Sequence, residues 1–326
     1  MKKKEVIAVT GGDGFAGSHI VQALVRAGYP VAVLDRQNSA RSKIKDLKGD
    51  IKYFKVNLLY ESALKRILKK INPTVILHLA ADTNPDRDPK RIRPMMRKNF
   101  DVALNLYYSA LELKKLKCII TFGSAGEYEQ GKMPFVETQQ EMPASPYSFS
   151  KTCVSHLSSY FYRVHHLPIL VVRPSVLYGE YQTGNQLIPL LIRKCGKNET
   201  IDMTKGDQVK DFIYVRDLVD AILKITAMIN NGRSHDVIGK TINLCTGEKI
   251  KIKNVAQLIK KEIHSKSRIS FGIIPYRNAE NRIFYGSNHK AKSLLNWSPK
   301  YSFEEGIRNT VDWYRKFSNH SKGDTI

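Results

Sequence analysis

A glycine-rich turn between an apolar run and a helical pattern restricts this chain more than any other stretch. The run is Glu5–Thr10, the turn is Thr10-Gly11-Gly12-Asp13-Gly14-Phe15-Ala16-Gly17, and helical periodicity covers Phe15–Ala27. Gly11, Gly14 and Gly17 form Gly-x-x-Gly-x-x-Gly, a variant of the dinucleotide fingerprint. Glycines there let backbone amides approach a pyrophosphate at the positive end of a helix. Turns gather glycines for other reasons, so the trio counts because of its place between strand and helix. A second strand, Pro30–Leu34, ends at Asp35, where a carboxylate can accept hydrogen bonds from an adenosine ribose and repel a 2′-phosphate. The expected cofactor is therefore NAD, with NADP disfavoured, although the neighbouring Arg36 softens that exclusion.

The first half goes on alternating. Ser62–Ile71 reads as helix, Val75–Leu79 as strand, Asn99–Leu113 as helix, Cys118–Phe122 as strand, Pro146–Val164 as helix and Ile169–Val172 as strand. Near-continuous apolar runs such as Val75-Ile76-Leu77 suit strands covered on both faces. The fold class is α/β, a doubly wound, Rossmann-type parallel sheet. Beyond Arg173 the order loosens. Tyr178–Asn185 reads as a loop, followed by helices near Leu187–Cys195, Arg216–Ile229, Lys253–His264 and Phe303–Phe317, with strands at Phe212–Val215 and Thr241–Leu244. Residues 1–175 are expected to form the NAD-binding domain, with about 212–245 returning to it. Residues 176–211 and 246–317 are expected to form a smaller interleaved C-terminal α/β lobe for substrate, and 318–326 a mobile tail.

Composition narrows the setting. The start Met1-Lys2-Lys3-Lys4 is basic, but the apolar stretch Val6–Val9 is too short for a secretory core. No run approaches the roughly 20 apolar residues of a membrane span, so a cytoplasmic location without membrane contact is expected. Cys118, Cys153, Cys195 and Cys245 contain no Cys-x-x-Cys pair, which disfavours metal clusters and disulfide frameworks alike. His165-His166 reads as an ordinary helix end, and no metal site is expected. The net charge of +23 would steer an anionic substrate towards its cleft. The lysines are dispersed and not interleaved with aromatics, so no specific nucleic-acid partner is expected.

Tyr147-Ser148-Phe149-Ser150-Lys151 sets a phenol and an amine at i and i+4 on one helical face. A free tyrosine titrates near pH ~10, too high for a base at neutral pH. A neighbouring ammonium and an oxidised nicotinamide both favour the phenolate, so this spacing can tune an acid–base group. Ser124 follows the strand Cys118–Phe122 and faces the same sheet edge, where its hydroxyl can share a substrate oxygen with Tyr147. Tyr-x-x-x-Lys alone is common by chance, and its coupling to the glycine turn and Ser124 makes it chemical.

Taken as a set, these motifs resemble the extended short-chain dehydrogenase/reductase family, the NAD-dependent epimerases and dehydratases of nucleotide sugars. The resemblance covers nearly the whole chain. It also includes His78-Leu79-Ala80-Ala81, Asn99, Arg173-Pro174 with Tyr178-Gly179, Asp211 through Leu218, and Leu295-Asn296-Trp297-Ser298-Pro299 before a terminal helix. It implies Ser124, Tyr147 and Lys151 as the catalytic trio, with Lys151 also on the nicotinamide ribose. It implies cofactor contacts from Gly11, Gly14, Phe15, Ala16, Gly17, Asp35, Arg36, Asn57, Leu58, Leu79, Ala80, Ala81, Asn99, Tyr147, Lys151 and Pro174. Substrate contacts are expected from Thr83, Ser124, Ala125, Gly126, Glu127, Val176, Gln186, Lys210 and Arg282.

Departures from the family pattern bear on the reaction. The 4,6-dehydratases carry Thr-Asp-Glu where this chain has Ser124-Ala125-Gly126, so elimination of water lacks its acid and base. Val176 replaces an asparagine of many 4-epimerases, Asn57 an aspartate on the adenine side, and Lys210 an arginine before Asp211. Lys210 is a point charge rather than a fork for diphosphate, a grip that Arg282 can supply. The charged segment Asp82–Lys98 reads as a solvated lid, with recognition of an unusual sugar substituent as the alternative.

The expected function is a nucleotide-sugar epimerase working by transient hydride abstraction, at C4. One alternative is a nucleotide 4-keto-sugar reductase or dehydrogenase with exchanging NAD(P)H, supported by the Gly123–Tyr128 run. Another, of a different class, is a non-catalytic NAD-binding, RNA-associated protein, supported only by the charge. A homodimer through Asn99–Leu113 and Pro146–Val164 is implied by the resemblance.

Overall fold

The computed structural model describes residues 5–36, 43–44, 47–276 and 281–320, except the side chains of 317–320. In chain order the elements begin β1 Ile7–Thr10, α1 Phe15–Arg26, β2 Val31–Asp35, β3 Ile51–Lys55, α2 Glu61–Ile71 and β4 Val75–His78. Next come α3 Ile92–Met96, a π-helical turn at Arg97–Asp101, α4 Val102–Ala110, β5 Cys118–Phe122, a 3₁₀ turn at Ala125–Tyr128, α5 Pro146–His165, β6 Ile169–Pro174 and β7 Val176–Tyr178. The rest is α6 Leu187–Gly196, β8 Ile201–Met203, β9 Val209–Lys210, β10 Phe212–Tyr214, α7 Val215–Asn230 and β11 Thr241–Leu244. The last elements are β12 Ile250–Lys251, α8 Ile252–Ile263, β13 Ile269–Phe271, β14 Ile283–Phe284, α9 His289–Leu295 and α10 Phe303–His320.

Seven strands form one sheet in the order β11-β6-β5-β4-β1-β2-β3, and every neighbouring pair is parallel. The two-residue period of a strand sorts its side chains between two cores. Ile7 and Val9, Val31 and Val33, and Val75 and Leu77 meet α1, α7 and α9 on one face. Ala8, Ala32 and Ile76 meet α2, α4 and α5 on the other. Strands buried on both faces must be apolar throughout, which is why their runs look continuous. Strand β11 joins the sheet beside β6, and α7 shares the core of α1. A third core gathers α6, α8, α10 and the short strands β8 and β10 around Tyr178 and Tyr214.

Two elements differ from the sequence reading. Ile51–Lys55 is a sheet strand, although Lys52 and Lys55 interrupt its apolar residues; as the edge strand β3 it needs burial of only part of its surface. The segment Asp82–Lys98 is half irregular and half helical, a 3₁₀ turn at Pro89–Arg91 leading into α3. Of the tail expected from Ser318, residues up to His320 belong to α10, and residues 321–326 lie outside the described residues. Among the described residues, no helix is long and apolar enough to cross a membrane.

Candidate active site

Because all seven strands run parallel, the carboxyl ends of β1, β2, β4 and β5 share one edge, and the segments that follow them converge there. After β1, Gly11 adopts φ +67° and donates its N–H to the Leu34 carbonyl, while Gly14 closes the turn onto the Gly11 carbonyl. A Cβ at Gly11 would lie 2.8 Å from the Ala80 nitrogen, and one at Gly17 would lie 2.1 Å from the Gly11 oxygen. Gly14 caps α1 without a side chain, so the first amides of that helix keep no side-chain acceptor. The turn borders a cavity of about 1190 Å³ lined by Gly11, Asp13, Gly14, Asp35, Arg36, Asn57, Leu58, Leu79, Ala80 and Ala81, with Thr83, Asn185 and Gln186 further along. That volume suffices for a large small-molecule ligand.

The Asp35 carboxylate stands in this cavity, accepting from the Arg36 N–H at 2.7 Å and the Asp13 N–H at 3.3 Å. Asn57 uses its side-chain oxygen on the Leu59 N–H, 3.1 Å away. A turn that admits no Cβ, an uncapped helix N-terminus and a carboxylate at the end of β2 together fit NAD, with the glycine turn on the pyrophosphate and Asp35 on the ribose.

The proposed trio stands outside the lining of that cavity, on the same sheet edge. Helix α5 starts cleanly because Ser145 caps it, its hydroxyl accepting from the Ser148 N–H at 3.1 Å, and Pro146 occupies its first turn. Tyr147 and Lys151 therefore project from the first two turns of a helix with a fixed start. The Tyr147 hydroxyl lies beside the Ser124 side chain. Burial and the charge of Glu127 push Tyr147 up to about 12, against the Ser124 side chain, which pulls it down. Lys151 is buried, donates to the Phe122 carbonyl at 2.7 Å and lies 6.0 Å from the Tyr147 ring centre. Burial pushes Lys151 down to about 8, while Glu127 holds it up. Ser124 opens the 3₁₀ turn, its Oγ accepting from the Gly126 N–H at 3.1 Å and its N–H donating to Glu127 Oε1 at 2.8 Å.

The remaining expected residues fall into different places. Asn99 does not line the cavity. It sits in the π turn with its side chain committed to both backbone groups of Asp82 and to the Ser150 hydroxyl, at 2.7 to 3.1 Å, so it positions the cavity wall against α5. Phe15 and Ala16 pack into apolar cores, and Gly17 underlies the turn. Pro174 closes β6 opposite Leu244. Ala125 is buried, and Gly126 serves Ser124. Lys210 donates to the Asn281 carbonyl at 3.0 Å, and the Arg282 guanidinium lies over the Tyr276 ring; Val176 is exposed on β7.

Glu127 is a correction. It was expected to touch the sugar, but it is fully buried, with its oxygens on the Ser124 N–H and on Arg173.

Asp13 carries no role in the sequence reading, and Asn84, Pro85, Asp86, Arg87 and Asp88 belong to the segment read as a lid; all of them also line the cavity. Arg87 pairs with Glu129 and donates to the Ala144 carbonyl, tying that wall to the start of α5. The run of charges marked this stretch, but only the fold brings it to the sheet edge. His78 also went without a role. It shares a 2.8 Å hydrogen bond with Thr10, and burial, helped by the Lys151 charge, pushes it down to about 3, so it stays neutral.

The chain matches the NAD dependent epimerase/dehydratase family over residues 7–245. It is 26% identical to dTDP-glucose 4,6-dehydratase of Haemophilus influenzae over 94% of this chain and 97% of that protein. It is 29% identical to UDP-N-acetyl-alpha-D-glucosaminuronate decarboxylase of Bacillus cytotoxicus over 98% of this chain and all of the relative. The solved UDP-glucose 4-epimerase of Thermotoga maritima with UDP-glucose superposes at a TM-score of 0.86 and 28% identity, covering 96% of this chain and 99% of the other.

Proposed function

Because this chain belongs to the NAD-dependent epimerase/dehydratase family, we propose that it epimerises a nucleotide-diphosphate sugar at C4 by taking a hydride away and returning it to the other face. The observation that carries this is the meeting of Ser124 and Tyr147 beside the buried Lys151, at the sheet edge that holds the glycine turn. Bound NAD supplies the hydride acceptor and donor. Tyr147 takes the proton of the sugar hydroxyl, and Ser124 shares the oxygen through its own hydroxyl. Burial keeps Tyr147 protonated, so its work as a base requires positive charge nearby, which Lys151 provides as an ammonium. The same protonated phenol is ready to give the proton back when the keto sugar is reduced.

Dehydration is disfavoured by Ala125 and Gly126, which offer no side-chain acid or base next to Ser124. Asp35 supports NAD over NADP, since two backbone amides fix its carboxylate at the end of β2. Thr83 and Gln186 on the cavity wall are the proposed sugar contacts, and Lys210 and Arg282, outside its lining, the proposed diphosphate contacts. Exposed Tyr108, Tyr160 and Val164 on α4 and α5 support a homodimer.

The test is to denature freshly purified, dialysed protein and identify the released small molecules by mass spectrometry and absorbance. Stoichiometric NAD is expected. Protein that carries none and binds added NADH or NADPH weakly would assign the chain to the ketoreductases instead.

A further inference from the structure

Glu127 is a buried carboxylate that the proposed chemistry does not use. It is 0% exposed, and its Oε1 accepts from the Ser124 N–H at 2.8 Å while Oε2 meets Arg173 Nη2 at 2.6 Å. The chain makes room for it deliberately. A Cβ at position 123 would fall 2.4 Å from Oε1, so the carboxylate fits only because Gly123 ends the strand segment.

Pairing with Arg173 does not by itself account for a second buried acid. Arg173 already meets Glu141 Oε1 at 2.7 Å and the Tyr128 hydroxyl. Burying an extra charge costs more than filling the space with an apolar side chain. The charged and titratable groups around Glu127 are Arg173 from β6, Tyr128 from its own turn, and Tyr147, Lys151 and Cys153 from α5. Glu141 lies beyond Arg173, and His78 on β4 faces Lys151.

We infer that Glu127 is a positioning residue, its carboxylate, paired with Arg173, fixing the backbone of Ser124 and setting a negative charge beside Tyr147 and Lys151. The inference rests on the reading that Ser124, Tyr147 and Lys151 carry the chemistry. Ser124 is then held from two sides, its N–H by Glu127 and its Oγ by the Gly126 N–H. The charge raises both Lys151 and Tyr147, keeping the ammonium charged against its burial and the phenol protonated for the return step.

Glu127→Gln keeps an oxygen for the Ser124 N–H and removes the charge. In this variant kcat should fall roughly 10- to 100-fold with KM changed less than about threefold. Both limbs of the pH profile should move to lower pH, because loss of a negative charge lowers both groups. Glu141→Gln, on the far side of Arg173, should leave the limbs in place. A second readout needs no sugar. NMR of [¹³Cζ]tyrosine-labelled protein, with the Tyr147 resonance assigned through Tyr147→Phe, should show Tyr147 ionising from a lower pH in Glu127→Gln. Unmoved limbs and an unmoved ionisation in a folded variant would overturn the inference. If Glu127→Gln does not fold, Glu127→Asp retains the charge but withdraws it by one methylene. It should lower kcat without moving the limbs, and an unaltered kcat would overturn the inference. If no nucleotide sugar reacts while the Tyr147 ionisation still shifts, the proposed reaction fails and the assignment of Glu127 stands.

Discussion

Tyr147 and His78 show how burial assigns charge at this sheet edge. Both are pushed towards their neutral forms, the phenol up to about 12 and the imidazole down to about 3. Tyr147→Phe removes the proton carrier and leaves the glycine turn intact. Turnover should fall by roughly 10²–10⁴-fold or more with NAD still bound, and near-normal turnover would show that the proton goes elsewhere. Lys151, pushed down to about 8, is protonated below that pH and neutral above it. The rate should therefore decline as pH rises past about 8, a trend to be read from kcat across pH 6–10.

His78 gives a stability prediction of definite sign. Above its ordinary value of 6.5 it is neutral folded or unfolded and contributes nothing. As pH falls from 6.5 towards about 3, only the unfolded chain takes the proton, so stability is lost. In urea titrations over that range, His78→Gln should lose less stability than the wild type; parallel losses would show that the native imidazole does protonate.

Among the elements, the turn between β1 and α1 was legible because its chemistry leaves no alternative. Gly11 and Gly17 stand where a Cβ would strike backbone atoms, and only glycine fits. Gly17→Ala should therefore displace the turn, lowering both NAD retention and the thermal midpoint. A variant holding NAD at full stoichiometry would contradict that packing. Helix α5 was equally readable, since Ser145, Pro146 and the Tyr147–Lys151 spacing all lie within its first two turns.

Where tertiary contacts decide, the residues gave less away. Strand β3 carries Lys52 and Lys55 among its apolar residues, which an edge strand tolerates. Pro94 and the charges around it conceal α3, which shares its end with a π turn. Glu127 reads as a substrate contact from sequence because acids rarely go inside unpaired. Its partner Arg173 is 46 residues away in sequence, so the pair becomes visible only when β5 and β6 lie side by side.

For the whole molecule, a doubly wound sheet was readable from the alternation of apolar runs and helices, and the seven parallel strands have that form. Assembly is a separate matter. Tyr160 and Val164 are about half exposed on α5, and Tyr108 lies exposed on α4, surfaces that a second copy would cover. Tyr160→Asp with Val164→Asp should give monomers by light scattering with unchanged far-UV circular dichroism. A wild-type protein already monomeric at micromolar concentration would rule the dimer out.

The central claim is that this site moves a hydride off and back onto one carbon without net redox. The most direct measurement follows the purified protein, with no added cofactor, acting on a panel of nucleotide-diphosphate hexoses deuterated at C4. Formation of the 4-epimer with deuterium retained at C4 and no accumulation of NADH is the predicted result. A product that has lost water, or a reaction that proceeds only with stoichiometric NAD(P)H, would contradict the account.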